Sequence, residues 1–343
     1  MPDPFNISFP RAYADPVGQG QIKLSPEDFK VVEKLSFPLS GAGEHLYLQL
    51  RKTGQNTLWV VEQLARHFEL KKRDIGYAGL KDRHAITTQW FSLLQRPGTK
   101  EKLNNFSCEG VELLDVQLSS RKLRKGAIQH NDFTITVRNL DTAEANLTTR
   151  LDIITSAGVP NYFDEQRFGR QRQNLLAADK LFHGRLRAKQ SKRRLYISAA
   201  RSWLFNLVLA ERIRRACWST GLNGDVFNLN GSKKYFHQVT MDHELQQRLV
   251  EFDIHPTAPL WGEGELLTTG AARELELSAL SDWSDWCHQL ERARLKQQRR
   301  PCRVLPENLH YQYDKKLQQL NLSFRLPAGA YATNVLREII DIL

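Results

Sequence analysis

The segment Gly76-Tyr77-Ala78-Gly79-Leu80-Lys81-Asp82-Arg83-His84-Ala85 sets one carboxylate between two cations, just after a turn of small residues. Flanking cations favour the ionised carboxylate, and an ionised Asp82 can serve as a nucleophile or a base. Gly76 and Gly79 let the backbone bend and let a ligand come close. On spacing alone, a solvated turn of mixed charge is the commoner origin of such a triplet. A metal-dependent nuclease with Asp82 and His84 as ligands is a further reading. It lacks a second carboxylate nearby in sequence, and metal sites want several oxygen ligands. Asn131 and Phe133 are two apart in a segment with strand alternation, so they face the same way. A ring beside an amide suits an unstacked base, which the ring stacks on and the amide reads. Periodicity alone favours the core for Phe133. Tyr331, just past the Pro327-Ala328-Gly329 turn, has the same two readings.

The elements that position these residues follow from hydrophobic spacing. Residues 29 to 37 alternate as a strand, with Phe29, Val31 and Leu35 on one side. Leu46, Leu48 and Leu50 alternate again after Gly41-Ala42-Gly43. Asn56 then caps a helix carrying Val60, Val61, Leu64, Ala65 and Phe68. Residues 87 to 94, 111 to 118 and 132 to 138 read as strands. Residues 141 to 157 read as a helix stopped by Gly158 and Pro160. Residues 160 to 303 are richer in long helices and basic runs, including a helix over Trp203, Leu204, Leu207 and Val208 that reaches about Cys217. Strand alternation returns at Leu320, Leu322, Phe324 and Leu326. A last helix carries Val335, Leu336, Ile339 and Ile340. Strand-rich sequence on both sides of a helical middle predicts one α+β core interrupted by an inserted domain.

Composition narrows the class. The 343 residues are 41% hydrophobic and 25% charged, and 49 Lys and Arg against 38 Asp and Glu give a formal charge of +11. Such a basic chain is expected to bind nucleic acid or anionic membranes. The longest apolar stretches, such as 203–210, are far too short to span a bilayer, and residues 1–16 have no signal-peptide apolar region. The cysteines Cys108, Cys217, Cys287 and Cys302 form no C-x-x-C pair and have no His at zinc-ligand spacing, so they read as reduced packing thiols. Three basic clusters favour phosphate contacts. Arg121, Lys122, Arg124 and Lys125 sit at an expected hairpin tip. Arg185, Arg187, Lys189, Lys192, Arg193 and Arg194 crowd an expected loop with no acid among them. Arg292, Arg294, Lys296, Arg299, Arg300 and Arg303 end the helical middle. No Walker loop, G-x-G-x-x-G or H-E-x-x-H motif occurs.

Together these segments resemble the TruD family of tRNA pseudouridine synthases. The stretches that carry the resemblance are Ser25-Pro26-Glu27-Asp28-Phe29, Gly79 to Ala85, Asn131-Asp132-Phe133-Thr134 and Gly158-Val159-Pro160-Asn161-Tyr162-Phe163. Gln166-Arg167-Phe168-Gly169, Ser198-Ala199-Ala200-Arg201-Ser202 and Leu326-Pro327-Ala328-Gly329-Ala330-Tyr331-Ala332-Thr333 complete it. The resemblance covers nearly the whole chain. It implies an α+β fold: a pseudouridine-synthase catalytic core with a mixed, mainly antiparallel sheet (residues 1–156 and 304–343), interrupted by an inserted α/β TRUD domain (157–303). It implies isomerisation of uridine-13 in tRNA to pseudouridine with no cofactor and no metal, and tRNA as partner. A cytoplasmic monomer with no membrane association is expected. Asp82 matches the nucleophile. Phe29, Asn131 and Tyr331 match positions that hold the target nucleotide, and Phe133 matches an active-site aromatic beside it. Lys81 is set with them as a substrate-binding candidate. Relatives commonly carry Phe where this chain has Tyr331. The reaction breaks N1–C1′, turns the uracil and joins C5 to C1′, so nothing is oxidised or hydrolysed. Asp82 would add to the base or sugar, or remove a ribose proton. The alternative is a tRNA-binding module or RNA chaperone without catalysis, in which Asp82 is only structural.

Overall fold

Alternation along residues 29–35 places Phe29, Val31 and Glu33 inward and Lys30, Val32 and Lys34 outward. This strand lies inside an eight-stranded sheet in a computed structural model that describes residues 5–343, divided into two compact units. The first unit comprises residues 17–148, 306–329 and 340–343. Its sheet runs Glu307–Asp314, Gln319–Pro327, Ile128–Val137, Phe29–Leu35, Ile86–Leu94, His45–Thr53 and Val111–Ser119, with Gly76–Tyr77 also paired to Ile86–Leu94. Only the Phe29–Leu35 and Ile86–Leu94 pair is parallel, so the sheet is mixed and mainly antiparallel, as expected. The helix Thr57–His67 is capped by Asn56, whose Oδ1 accepts from the Leu58 amide at 2.8 Å. Its Val60 and Leu64 pack on Leu48, Leu50 and Phe91 of the sheet.

The basic segment 120–127 is not a hairpin tip. The strands it joins, Val111–Ser119 and Ile128–Val137, are separated in the sheet by three others. The connection is instead fastened to the chain beside them. The Leu123 amide donates to Ser92 Oγ at 2.9 Å, and the Gly126 amide to the Ala78 carbonyl at 2.8 Å. A Cβ on Gly76 would lie 2.4 Å from Ser92 Oγ and 2.5 Å from the Leu123 carbonyl oxygen. The close approach that Gly76 permits is therefore to the chain's own backbone.

The second unit comprises the chain up to residue 16, residues 149–305 and residues 330–339. The segment 157–303 lies wholly within it, and its two ends meet: Val159–Pro160 pairs antiparallel with Arg303–Val304. A four-stranded antiparallel sheet (Tyr235–His237, Val226–Leu229, Ile254–Leu260, Gln298–Pro301) accompanies the helix Gln190–Arg214. Trp203, Leu204 and Val208 of that helix join Leu275, Trp286 and Leu290 in one core. The helix stops at Arg214, short of Cys217, because its orphan carbonyls are met by the amides of Arg215, Ala216 and Cys217. It also begins earlier than expected, so Lys192, Arg193 and Arg194 lie within its first five residues, not a loop. The last helix is only Ala332–Arg337. Ile339 and Ile340 lie beyond it, and Asp341–Ile342 continues as a strand parallel to Gln19–Gly20. Cys217, Cys287 and Cys302 are buried thiols, and Cys108 is half-buried.

Two buried cations mark where these folds are vulnerable. Arg212 is fully buried and makes a two-point contact with the fully buried Asp225, one arm at 3.0 Å. Asp225→Ala strands that guanidinium in low dielectric and should cost about 3–5 kcal/mol, read as a lower denaturant midpoint; a loss under about 1 kcal/mol would contradict this account. In the first unit, Lys52 continues the inward alternation of Leu46, Leu48 and Leu50 and is fully buried. Its ammonium donates to the Gln55 carbonyl at 2.7 Å and to the Asp82 carbonyl at 2.9 Å. Burial pulls its pKa down from 10.5 to about 8, against the attraction of Asp82. Between those values the unfolded chain holds more protons than the folded one, so this residue makes stability rise with pH there. The stability of wild type relative to Lys52→Met should therefore increase between about pH 7.5 and about pH 9.5, measured by urea unfolding. A flat or falling difference would exclude a buried ammonium.

Candidate active site

The strand Ile86–Leu94 is buried along both faces, and its polar residues hold the chain that precedes it. Gln89 is fully buried; its Nε2 donates to the Gly79 carbonyl at 3.2 Å and its Oε1 accepts from Thr57 Oγ1 at 2.9 Å. Thr57 Oγ1 in turn accepts from the Lys81 amide at 3.0 Å. With Lys52 on the Asp82 carbonyl, the backbone from Gly79 to Asp82 is fixed at three points. Few alternatives exist for these groups, because a buried polar atom left without a partner costs about 1–3 kcal/mol.

The register places Glu33 opposite Asn131, Val31 opposite Phe133 and Phe29 opposite Ile135. Phe133 is opposite Phe324 on its other side. Lys81 reaches into this face: its Nζ donates to Asn131 Oδ1 at 2.5 Å and lies 3.1 Å from Glu33 Oε2. Glu33 is fully buried, and burial pushes its carboxyl upward while Lys81 opposes that shift. Phe133 is buried and stacks on Phe324, with centroids 5.6 Å apart and planes 28° apart. It meets Phe29 edge-on at 6.1 Å.

Neither sequence neighbour pairs with the Asp82 carboxylate. Lys81 is taken by Asn131 and Glu33, and Arg83 Nε donates to the Gly54 carbonyl at 3.3 Å. The partner is Lys23, whose Nζ donates to Asp82 Oδ2 at 2.6 Å and sits 4.2 Å above the centre of the Phe29 ring. Lys23 holds a left-handed backbone (φ +59°), a conformation that side chains other than glycine adopt at a cost. The Asp82 side chain keeps 32% exposure, so the carboxylate is paired yet open to an incoming group. One unit thus brings together Asp82, Lys81, Asn131, Phe133 and Phe29 from the residues singled out in the sequence.

Tyr331 belongs to the other unit. There it is half-buried, its ring 6.4 Å from Phe163, and burial raises its hydroxyl pKa against the pull of Arg167 and Arg300. Lys23, Glu33 and Lys52 were not foreseen. For Glu33 and Lys52 a signal existed, since each occupies an inward position of an otherwise apolar alternation. No spacing rule links Lys23 to Asp82.

The basic clusters separate by burial. Arg185, Arg187, Lys189, Lys192, Arg193 and Arg194 are exposed and have no ion pair among the described residues. In the third cluster, Arg299 pairs with buried Glu276 at 2.6 Å, and Arg300 lies 4.1 Å over Phe163 with Nη2 donating to Asn161 Oδ1 at 2.6 Å. Arg303 donates to the Leu249 and Ile254 carbonyls. Burial pulls both Arg300 and Arg303 down to about 10. Only Arg292, Arg294 and Lys296 of this cluster are exposed. Among the described residues no group of three or more His, Cys, Asp or Glu converges, and no helix is long and apolar enough to cross a membrane.

Comparison with known proteins agrees across the length of the chain. The family described as tRNA pseudouridine synthase D (TruD) matches residues 11–188 and 182–339. A protein of Hydrogenovibrio crunogenus named tRNA pseudouridine synthase D is 42% identical over 345 residues, covering 100% of this chain and 99% of its own. One of Nitrosococcus oceani with the same name is 44% identical over 328 residues, covering 95% and 91%. The crystal structure of a Methanosarcina mazei protein provisionally assigned as a tRNA pseudouridine synthase D has the same fold, with a TM-score of 0.74 at 22% identity over 96% of this chain and 95% of that one. On the family match and these identities, the chain belongs to the TruD family of tRNA pseudouridine synthases.

Proposed function

We propose that this chain isomerises uridine-13 of tRNA to pseudouridine with Asp82 as the nucleophile. The observation that carries the reading is the setting of Asp82: a partly exposed carboxylate, bonded to Lys23 at 2.6 Å, on a backbone fixed by buried partners. The fixed backbone limits the motion that would spoil its aim. Phe29, Phe133 and Asn131 line the same sheet face beside it and are assigned to the everted uridine, the rings by stacking and the amide by its hydrogen-bonding edge. Lys81 orients Asn131 through the 2.5 Å bond. Tyr331 is assigned as a further contact to the target nucleotide, by family resemblance.

The chemistry asks little beyond this. The glycosidic bond breaks, the uracil turns, C5 replaces N1 at C1′, and the proton C5 loses is matched by one gained at N1, so atoms balance without an oxidant or reductant. Asp82 adds to base or sugar, or takes a ribose proton, and returns unchanged. Water must stay away from the cleaved state, and the aromatic face serves that end. The protein acts as a cytoplasmic monomer. Chemistry falls to residues 1–156 and 304–343, and much of the grip on tRNA to residues 157–303.

Asp82→Asn keeps shape and removes the nucleophile. Single-turnover assays on tRNA should show no pseudouridine, while tRNA affinity stays within a few-fold. Wild-type-like turnover would sink the assignment. Loss of nothing measurable alongside an inactive wild type would favour the non-catalytic RNA-binding reading. Phosphate contacts release counterions, so affinity should fall steeply with salt. Replacing Lys192, Arg193 and Arg194 together by Ala should flatten the plot of log affinity against log salt by up to about three contacts' worth. An unchanged slope would make that helix end a merely solvated face.

A further inference from the structure

The connection 120–127 forms one wall of a cleft of about 570 Å³ lined by Ser36, Phe37, Arg121, Lys122, Arg124 and Ala127. Its centre is a stack. The Arg121 guanidinium lies 3.8 Å from the centre of the Phe37 ring. The ring of the fully buried Tyr47 meets Phe37 edge-on at 6.4 Å. Tyr47 also fixes the backbone above it, its hydroxyl donating to the Arg121 carbonyl at 2.9 Å. The Ser36 amide donates to the Ala127 carbonyl at 3.2 Å, closing the far side. Arg121 and Arg124 are exposed, and neither has an ion pair among the described residues. Lys122 reaches the Arg73 carbonyl at 2.5 Å. The guanidinium is thus held over a ring by a residue that stays exposed.

We propose that this cleft is a second nucleotide site, which takes one unstacked nucleotide of the RNA substrate. It rests on the reading that RNA is the substrate. The base stacks on the open face of Arg121, and its phosphate is met by Arg124 and by the edge of Arg121. A planar guanidinium suits both tasks, since it stacks on bases and donates in a fork to phosphate, whereas an ammonium offers only a point charge. The volume falls within the range of small-ligand sites. The cleft is joined to the candidate active site by the Gly126 to Ala78 hydrogen bond, four residues before Asp82. A nucleotide seated here would set the position of the strand that carries the target uridine.

The test uses the full-length protein and a tRNA that wild type converts. Conversion by wild type reports on the proposed function; the variants report on the cleft. Arg121→Ala should weaken tRNA binding about tenfold, within the range of about fivefold to 150-fold that stacking of one base confers. It should raise KM by a larger factor than it lowers single-turnover conversion at saturating tRNA, because it takes no direct part in the chemistry. Arg121→Lys keeps the charge and loses the plane. It should lose most of the same affinity with an unchanged salt slope. Phe37→Leu should lose affinity too, with a melting temperature near wild type. Arg121→Lys binding as tightly as wild type would overturn the stacking site. So would an Arg121→Ala affinity within twofold of wild type while wild type converts its substrate.

Discussion

The backbone between Gly79 and Asp82 is held by polar groups that have nowhere else to go. Gln89, Thr57 and Lys52 are fully or almost fully buried, and each meets a backbone atom of this short segment. In low dielectric such groups are strong when paired and costly when not, so the segment and the sheet fix each other. A burial this polar adds little net stability over an apolar core of the same shape. What it adds is a single conformation, and a carboxylate that must meet a particular atom of a flipped nucleotide needs one.

The distribution of charge follows from that constraint. Lys81 and Arg83 flank Asp82 in sequence, but each is engaged elsewhere. Lys81 goes to buried Glu33 and to Asn131, and Arg83 to the Gly54 carbonyl. The counter-ion comes from Lys23, distant in sequence, on a left-handed residue. Its ammonium is shared between a carboxylate and the face of Phe29. An ammonium in that place pairs with the carboxylate and at the same time orders a ring assigned to the substrate. One cation thus couples the acid to the aromatic face, which neither flanking residue could do.

The sequence made some of this legible and hid the rest for identifiable reasons. Strict alternation announced the strands at 29–35, 46–50 and 320–326, and the Asn56 cap announced its helix, because period and capping are local properties. The shared face of Asn131 and Phe133 followed from the same period. The order of strands did not follow: adjacency in sequence suggested a hairpin at 121–125, whereas the sheet inserts three strands between the two it joins. Helix ends were displaced where apolar spacing ran on past the last hydrogen-bonded turn, as at Ile339 and Ile340. Lys23 was invisible because nothing local marks a tertiary ion pair. Glu33 and Lys52 were visible in principle, as charges occupying positions the alternation reserves for apolar side chains.

Basic clusters show the same limit in another form. The formal charge of +11 counts every arginine alike, yet Arg212, Arg299 and Arg303 are buried on carboxylates or carbonyls, and Arg300 is held on Asn161 and Phe163. All four are Arg, which can satisfy several acceptors at once from one planar group and so tolerates burial better than Lys. The cluster at 292–303 ends in strands, where Arg299, Arg300 and Arg303 all find partners inside the fold. The cluster at 185–194 opens a helix, at the end where cations are disfavoured by the helix dipole and by one another. Local stability gives no reason for cations in that position. An anion supplied by a partner does, and the cations at the start of the Gln190–Arg214 helix therefore bear more on RNA than a larger count of arginines threaded through a sheet.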